Sequence, residues 1–192
     1  MKKSLLIIIC GITFSGFLRA QEAYKTADPD VKVLGTSSLH NWSMEAKDIS
    51  CTAKFNFAPG NNSRPESLAA LELSIPVHNL KSGESLMDSR AYSALKADKF
   101  TTITYSSTSA TIVPGQKNQF QVKSTGNLTI AGTTKVVDLT VGCQTNPDGS
   151  IACTGTDQVK MTDYQMKPPV FMLGALRTGD LLTINFSLTL KK

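Results

Sequence analysis

The segment Leu80–Tyr105, LKSGESLMDSRAYSALKADKFTTITY, decides how the chain is read, because it sets one short amphipathic helix inside a sequence that otherwise alternates like strands. Met87, Ala91, Ala94 and Leu95 recur at helical spacing and form an apolar face, while Asp88, Ser89, Arg90, Ser93 and Lys96 take the other. Ser85 and Asp88 stand at the spacing at which a hydroxyl and a carboxylate satisfy free N–H groups at a helix start. The run from Lys96 to Lys99 puts basic charge at the negative end of the helix dipole. A strand begins directly afterwards. The expected role of such a helix is a lid or plug on a β-barrel.

Outward from this segment the apolar residues fall on every second position. Ile49, Cys51, Ala53, Phe55 and Phe57 alternate with Ser50, Thr52, Lys54 and Asn56, as in a half-buried antiparallel strand. Leu71, Leu73, Ile75 and Val77 repeat the pattern, as do Val137, Leu139, Val141 and Cys143, and then Leu182, Ile184, Phe186, Leu188 and Leu190. Further strands are expected near Val31–Thr36, Ile103–Val113, Gln119–Ile130 and Ser150–Met161, with turn signals at Pro59-Gly60-Asn61-Asn62, Pro114-Gly115 and Ala131-Gly132 between them. About eight one-sided strands bury their apolar faces either as a sandwich or as a closed barrel. The length of several strands and the helix in mid-order favour an all-β, eight-stranded antiparallel barrel. Its interior is either filled or hollow. Ala53 favours a cavity, and Phe55, Phe57 and Phe186 would fill one.

Residues 1–20 read as a secretory signal peptide, with Lys2 and Lys3 ahead of an apolar run and Ala20 at a plausible cleavage point. The run is shorter than the ~20 residues that span a bilayer, and nothing later in the chain is apolar enough to span. Cys10 follows three isoleucines and sits too early for a lipoprotein site. The expected domain is therefore 21–192, in a periplasmic or secreted location. Of the 20 basic residues, Lys2, Lys3 and Arg19 leave with the peptide, so 17 face 15 acidic ones, which does not suit a nucleic-acid-binding surface.

Export would put Cys51, Cys143 and Cys153 in an oxidising compartment. In CQTNPDGSIAC, the Asn146–Gly149 turn brings Cys143 and Cys153 face to face if the hairpin loop holds three or five residues, and a disulfide is expected there. Cys51 lies on the apolar side of its strand and reads as a buried small hydrophobe.

The helix and following strand, MDSRAYSALKADKFTTITY, together with GNLTIAGTTKVVDLTV from Gly126 to Val141, resemble the YceI-like proteins, secreted bacterial barrels similar in architecture to lipocalins. The resemblance rests on the order of strand, helix with an aspartate, LKADKF run, hairpin and final alternating strand, and it covers most of the chain after residue 20. It implies a ligand cavity for a polyisoprenoid or another long-chain amphiphile. Thr101 stands where a proline is expected, and no proline follows Lys135. GTSSLHNW, Gly35 to Trp42, marks a variant branch whose cavity can differ.

Burial of a lipid tail gains about 0.8 kcal/mol per methylene, which is the physical case for a carrier. Candidate ligand contacts are Trp42, Phe55, Phe57, Leu73, Ile75, Met87, Tyr92, Ile103, Tyr105, Leu128 and Phe171. Lys81, Arg90, Lys96 and Lys99 either meet an anionic head group or form an ordinary solvated face. Trp42 either walls the cavity or plugs one barrel end. In KPPVFMLGALRTG, Lys167–Gly179, the proline pair excludes helix, leaving a portal or a fixed crossover. Ser93-x-x-Lys96 and Arg177-Thr178-Gly179 mimic a serine-enzyme signature, but one short helix does not make that fold. With His40 and His78 as the two histidines, neither a standard metal pattern nor a catalytic motif is present, and no cofactor is expected. The other function considered is a packed barrel that binds a protein in the envelope through its loops. Oligomeric state is open, a homodimer included.

Overall fold

The period-two pattern closes on itself. The computed structural model describes residues 21–192; the leader assigned to residues 1–20 lies outside the described residues. Strands β1 (Gln21–Thr36), β2 (Asn41–Ala46), β3 (Ser50–Ala58), β4 (Asn61–Pro76) and β5 (Leu80–Lys81) precede helix α1 (Ser85–Leu95). Strands β6 (Thr102–Pro114), β7 (Gln119–Ile130), β8 (Thr133–Thr145), β9 (Ile151–Lys160), β10 (Val170–Phe171), β11 (Leu176–Arg177) and β12 (Leu181–Lys191) follow it. The order β1-β3-β4-β6-β7-β8-β9-β12 returns to β1, all antiparallel, giving a closed eight-stranded barrel with a single α-helix among the described residues. The expected all-β barrel with one helix between central strands is the fold.

Closure depends on β1. One of its edges pairs with β12 from Lys25–Lys191 to Leu34–Thr183. The other is shared: Gln21–Lys25 pairs with β3, and Val31–Thr36 pairs with β2. At the handover β1 carries a bulge between Thr26 and Asp28. The Thr26 hydroxyl there accepts a hydrogen bond from the Cys51 amide at 2.6 Å and donates to the Cys51 carbonyl at 3.2 Å. Beyond this point β2 lies between β1 and β5, which places Trp42, Met44 and Ala46 on the inner wall.

The alternation predicts β1 from Val31 and β4 from Leu71. Both strands begin ten residues earlier. In QEAYKTADPD only Tyr24 is fully buried, and in the first half of β4 Pro65 and polar residues dominate, so the alternation there is weak. β2 is not among the predicted strands, because its six residues offer only three alternating positions.

The barrel is filled at one end. Tyr24 and Phe55 meet edge to face with ring centroids 5.6 Å apart, and Phe55 meets Phe120 likewise at 6.2 Å; Phe57 closes the group. Around them Val122, Val141, Cys143, Ile151, Cys153, Leu188 and Leu190 are buried. Towards the other end the same inner faces are only half-buried, as at Val137 and Leu139 of β8 and at Leu182, Ile184 and Phe186 of β12. The ladder between β8 and β9 stops early, running only from Thr145–Ile151 to Gly142–Thr154. Beyond it the 3-10 turn Met161–Tyr164 covers the parting strands, and Met161, Tyr164 and Met166 pack with Ile130 and Ala131.

The Asn146–Ser150 loop of the β8–β9 hairpin has five residues, which sets Cys143 opposite Cys153, and the two form the expected disulfide. Cys51 is free and buried on the inner face of β3; burial disfavours its thiolate and pushes the thiol up to about 11.

Two outcomes follow from this packing. Replacing Cys143 and Cys153 by Ser should lower unfolding stability by roughly 3 kcal/mol, the loop-closure entropy of a short covalent ring, measured as a shift in urea midpoint. In the chain from Gln21 onward, Cys51 should resist a thiol reagent at pH 8 and react only through the unfolding transition. Since its folded-state pKa is raised, the stability linked to it is intact below pH 9 and declines as pH climbs towards 11. Rapid labelling in native buffer would contradict the burial.

Candidate functional site

The half-filled end of the barrel holds a cavity of about 360 Å³, within the range of small-molecule sites, roughly 300–1,000 Å³. Its walls come from the inner faces of the strands. Val31 and Val33 of β1, Leu73 and Ile75 of β4, Ile103 and Tyr105 of β6, Leu128 and Ile130 of β7, and Leu182, Ile184 and Phe186 of β12 line it. Leu73 pairs with Tyr105 and Ile75 with Ile103, so the alternation on two neighbouring strands builds a continuous, largely apolar panel.

Three rings lie against glycines. A Cβ on Gly155 would stand 2.3 Å from the Phe186 ring, one on Gly126 2.6 Å from the Tyr105 ring, and one on Gly35 2.1 Å from the Trp42 ring. Glycine at these positions lets each ring lie against the backbone and leaves the centre of the barrel open. Trp42 is thereby a wall of the cavity; its Nε1 donates to the Thr36 carbonyl at 3.0 Å. Polar groups in the wall are few. The Tyr105 and Ser124 hydroxyls are 2.6 Å apart in a buried pair, and burial raises the Tyr105 pKa. The Asp157 carboxylate lies on the inner side of β9 and accepts a hydrogen bond from the Gln158 amide at 2.8 Å.

Helix α1 lies over the opening. Its apolar face is the one the spacing predicts, and Met87, Ala91, Ala94 and Leu95 all line the cavity. The helix starts differently from the expectation. Glu84 is the N-cap and makes no side-chain capping bond; the Asp88 carboxylate instead accepts from the Ser82 amide at 2.8 Å and the Ser82 hydroxyl at 2.6 Å. Lys96 ends the helix in a left-handed conformation, and the buried Ala97 donates its amide to Tyr92. Across the opening the Arg90 guanidinium stacks on the Phe171 ring at 3.8 Å, tying α1 to the β10–β11 hairpin.

Of the residues expected to meet a ligand, Trp42, Leu73, Ile75, Met87, Ile103, Tyr105, Leu128 and Phe171 line this one cavity. Three lie elsewhere. Phe55 and Phe57 belong to the aromatic packing of the filled end, because alternation gives the face of a residue but not its height along the barrel. Tyr92 fastens the helix instead: its hydroxyl lies 2.9 Å from the carbonyls of both His78 and Leu80 as donor, and accepts from Lys81 Nζ at 2.8 Å. Of the four basic residues considered for a head group, Arg90 alone borders the cavity. Residues the sequence reading did not single out, Met44, Ala46, Val159, Met161 and Met166, complete the wall. Met44 and Ala46 sit on the unforeseen β2, and Met161 and Met166 flank a 3-10 turn with no periodic signal. The Lys167–Gly179 segment is a structured crossover, a two-stranded hairpin whose Phe171 and Leu176 face the opening. No group of three or more potential metal ligands occurs among the described residues.

Solved structures similar to this chain include BcnA of Burkholderia cenocepacia, at 18% identity and a TM-score of 0.65, over 84% of this chain and 95% of that one. A polyisoprenoid binding domain from Saccharophagus degradans is similar at 11% identity and TM-score 0.67, over 90% and 99%. The YceI protein of Campylobacter jejuni is similar at 17% identity and TM-score 0.55, over 100% and 99%. At such identities the likeness is one of fold. No curated protein shows significant sequence similarity to the chain. The model of the YceI-like domain matches residues 26–190, nearly the whole of the barrel, and the chain belongs to that family.

Proposed function

We propose that this chain is an exported binding protein that holds a long-chain amphiphile, of the polyisoprenoid kind, non-covalently in the open half of its barrel. The observation that carries the reading is the cavity itself: apolar on its walls, open beneath an apolar helix face, and floored by the aromatic packing of the filled end. A lipid tail gains on the order of 0.8 kcal/mol for every methylene withdrawn from water, and ordering the tail offsets only part of this. The tail would lie against Leu73, Ile75, Ile103, Leu128 and Ile184, and Trp42 and Met87 would bracket its upper part. Arg90 at the opening suits an anionic or hydroxylated head. The similar fold of the polyisoprenoid binding domain supports this ligand class.

Export is part of the proposal. The charged, then apolar, residues 1–20 and the Cys143–Cys153 disulfide both suit a periplasmic or extracellular destination. No helix among the described residues is long and apolar enough to cross a membrane. Binding needs no reaction; deep in the wall Tyr105 is bonded to Ser124 and Asp157 to the Gln158 amide. Of the two functions considered from the sequence, the hollow interior favours the carrier over a packed interaction module.

Native mass spectrometry of the chain from Gln21, purified from a bacterial envelope without detergent, tests the reading. A stoichiometric long-chain species is expected; a mass that stays bare after incubation with polyprenyl and fatty lipids would sink it. Two variants should separate cavity from scaffold. Leu73→Trp, which fills the apolar panel, should weaken polyprenyl binding at least tenfold with little loss of stability. Phe55→Ala should cost about 3–5 kcal/mol of stability at the filled end and leave affinity nearly unchanged.

A further inference from the structure

Five of the eight large apolar residues exposed among the described residues come from three segments that meet at the cavity opening: Leu39, Leu86, Val170, Met172 and Leu173. Their grouping is built by named contacts. The Ser38 amide donates to the Arg177 carbonyl at 2.9 Å and the Arg177 amide to the Ser38 hydroxyl at 3.0 Å, which ties the Leu39 loop to the β10–β11 hairpin. The Arg90–Phe171 stack ties the same hairpin to α1, where Leu86 lies one turn before Arg90 on the same side. Scattered apolar residues on a surface need no explanation, whereas a contiguous group marks a contact.

The hairpin tip is unusual in its backbone. Met172, Leu173 and Gly174 have φ of 49°, 56° and 94°, three consecutive left-handed residues of which two bear large side chains. L-residues disfavour that region. The conformation leaves Leu173 fully outside, at 111% relative exposure, and Met172 at 74%. Within the three segments the basic Arg90, Lys167 and Arg177 stand against Glu84 and Asp88, and Asp88 is turned back onto Ser82. The surface is thus a broken apolar ring, three segments bordering an apolar opening, with exposed basic groups among them.

We propose that this ring docks the protein onto the surface of a phospholipid bilayer, Met172 and Leu173 entering the acyl boundary while Arg90, Lys167 and Arg177 stay among the head groups. The continuity between ring and cavity singles out this occupant: an amphiphile leaving the leaflet would reach the cavity without crossing water. The inference rests on the carrier reading for its purpose, though not for its test.

Flotation with vesicles of phosphatidylethanolamine and phosphatidylglycerol tests it, using the chain from Gln21. The unmodified protein should float with the vesicles, and the M172D/L173D variant should lose at least tenfold in partitioning. These side chains are solvent-exposed, so the variant should keep its Tm, and Leu86→Asp provides an independent check from the helix side. No flotation by the unmodified protein, or flotation of M172D/L173D and Leu86→Asp equal to that of the unmodified protein, would overturn the proposal, as would a dimer in sedimentation that the same substitutions dissolve. Uptake of a polyprenyl lipid from cyclodextrin separates the two readings. Leu73→Trp should abolish uptake and keep flotation, and M172D/L173D should do the reverse. Lost uptake with intact flotation in the unmodified protein would sink the carrier alone; intact uptake without flotation would sink the docking alone.

Discussion

The cross-section of an eight-stranded barrel is set by its strand number, so what lies inside depends on the size of the side chains that point inward. Here those side chains change in kind along the axis. Tyr24, Phe55, Phe57 and Phe120 meet across one half, while in the other the inner positions are mostly Val, Leu and Ile, and the rings of Trp42, Tyr105 and Phe186 lie against glycines along the wall. The same alternation that drives closure therefore yields a scaffold at one end and a vessel at the other. Stability comes from the filled end, where β1 and β12 also bring the two ends of the described chain together and Lys192 pairs with Glu22 at 2.8 Å.

The opening is shaped by how β1 shares its edge. Because β3 leaves β1 after Lys25 and β2 takes over from Val31, the wall gains a strand near the mouth that the rest of the barrel lacks. β5 then pairs with β2, and the chain passes directly into α1. The helix is held by polar bonds at its edges: Ser82 with Asp88 at its start, and Tyr92 with the carbonyls before it. Its apolar residues are only partly covered by the barrel. That division lets one face of the helix remain available to the cavity without costing the helix its place.

Much of this architecture is legible in the sequence, and the reasons are local. Period two over eight or more residues marks β3, β8 and β12, and a helical stripe between strands marks α1. The turn signal between Cys143 and Cys153 marks their pairing on condition of an odd loop, and the five residues of Asn146–Ser150 meet that condition. What the sequence hides is position along the barrel axis. Phe55 and Leu73 look alike as inward apolar residues, yet one packs a closed end and the other lines a cavity. Short or polar strands are hidden too. β2 has too few residues to show a period, and the first half of β1 is held by its neighbours on both edges rather than by its own hydrophobicity. The helix start carries no side-chain cap; Ser82, three residues before Ser85, instead bonds the Asp88 carboxylate and the Glu84 amide from the preceding turn, a link that helical spacing does not announce.

The unfinished ladder between β8 and β9 has a mechanical meaning. Backbone bonds join the two strands from Thr145–Ile151 only as far as Gly142–Thr154, and the Cys143–Cys153 bond lies beside that last pair. The parting of the strands is thus a seam that opens towards the cavity and ends at a covalent rivet. Along that seam no backbone bond joins β8 to β9, so the 3-10 turn over it and the Cys143–Cys153 bond at its end carry the join that the ladder supplies elsewhere on the hairpin.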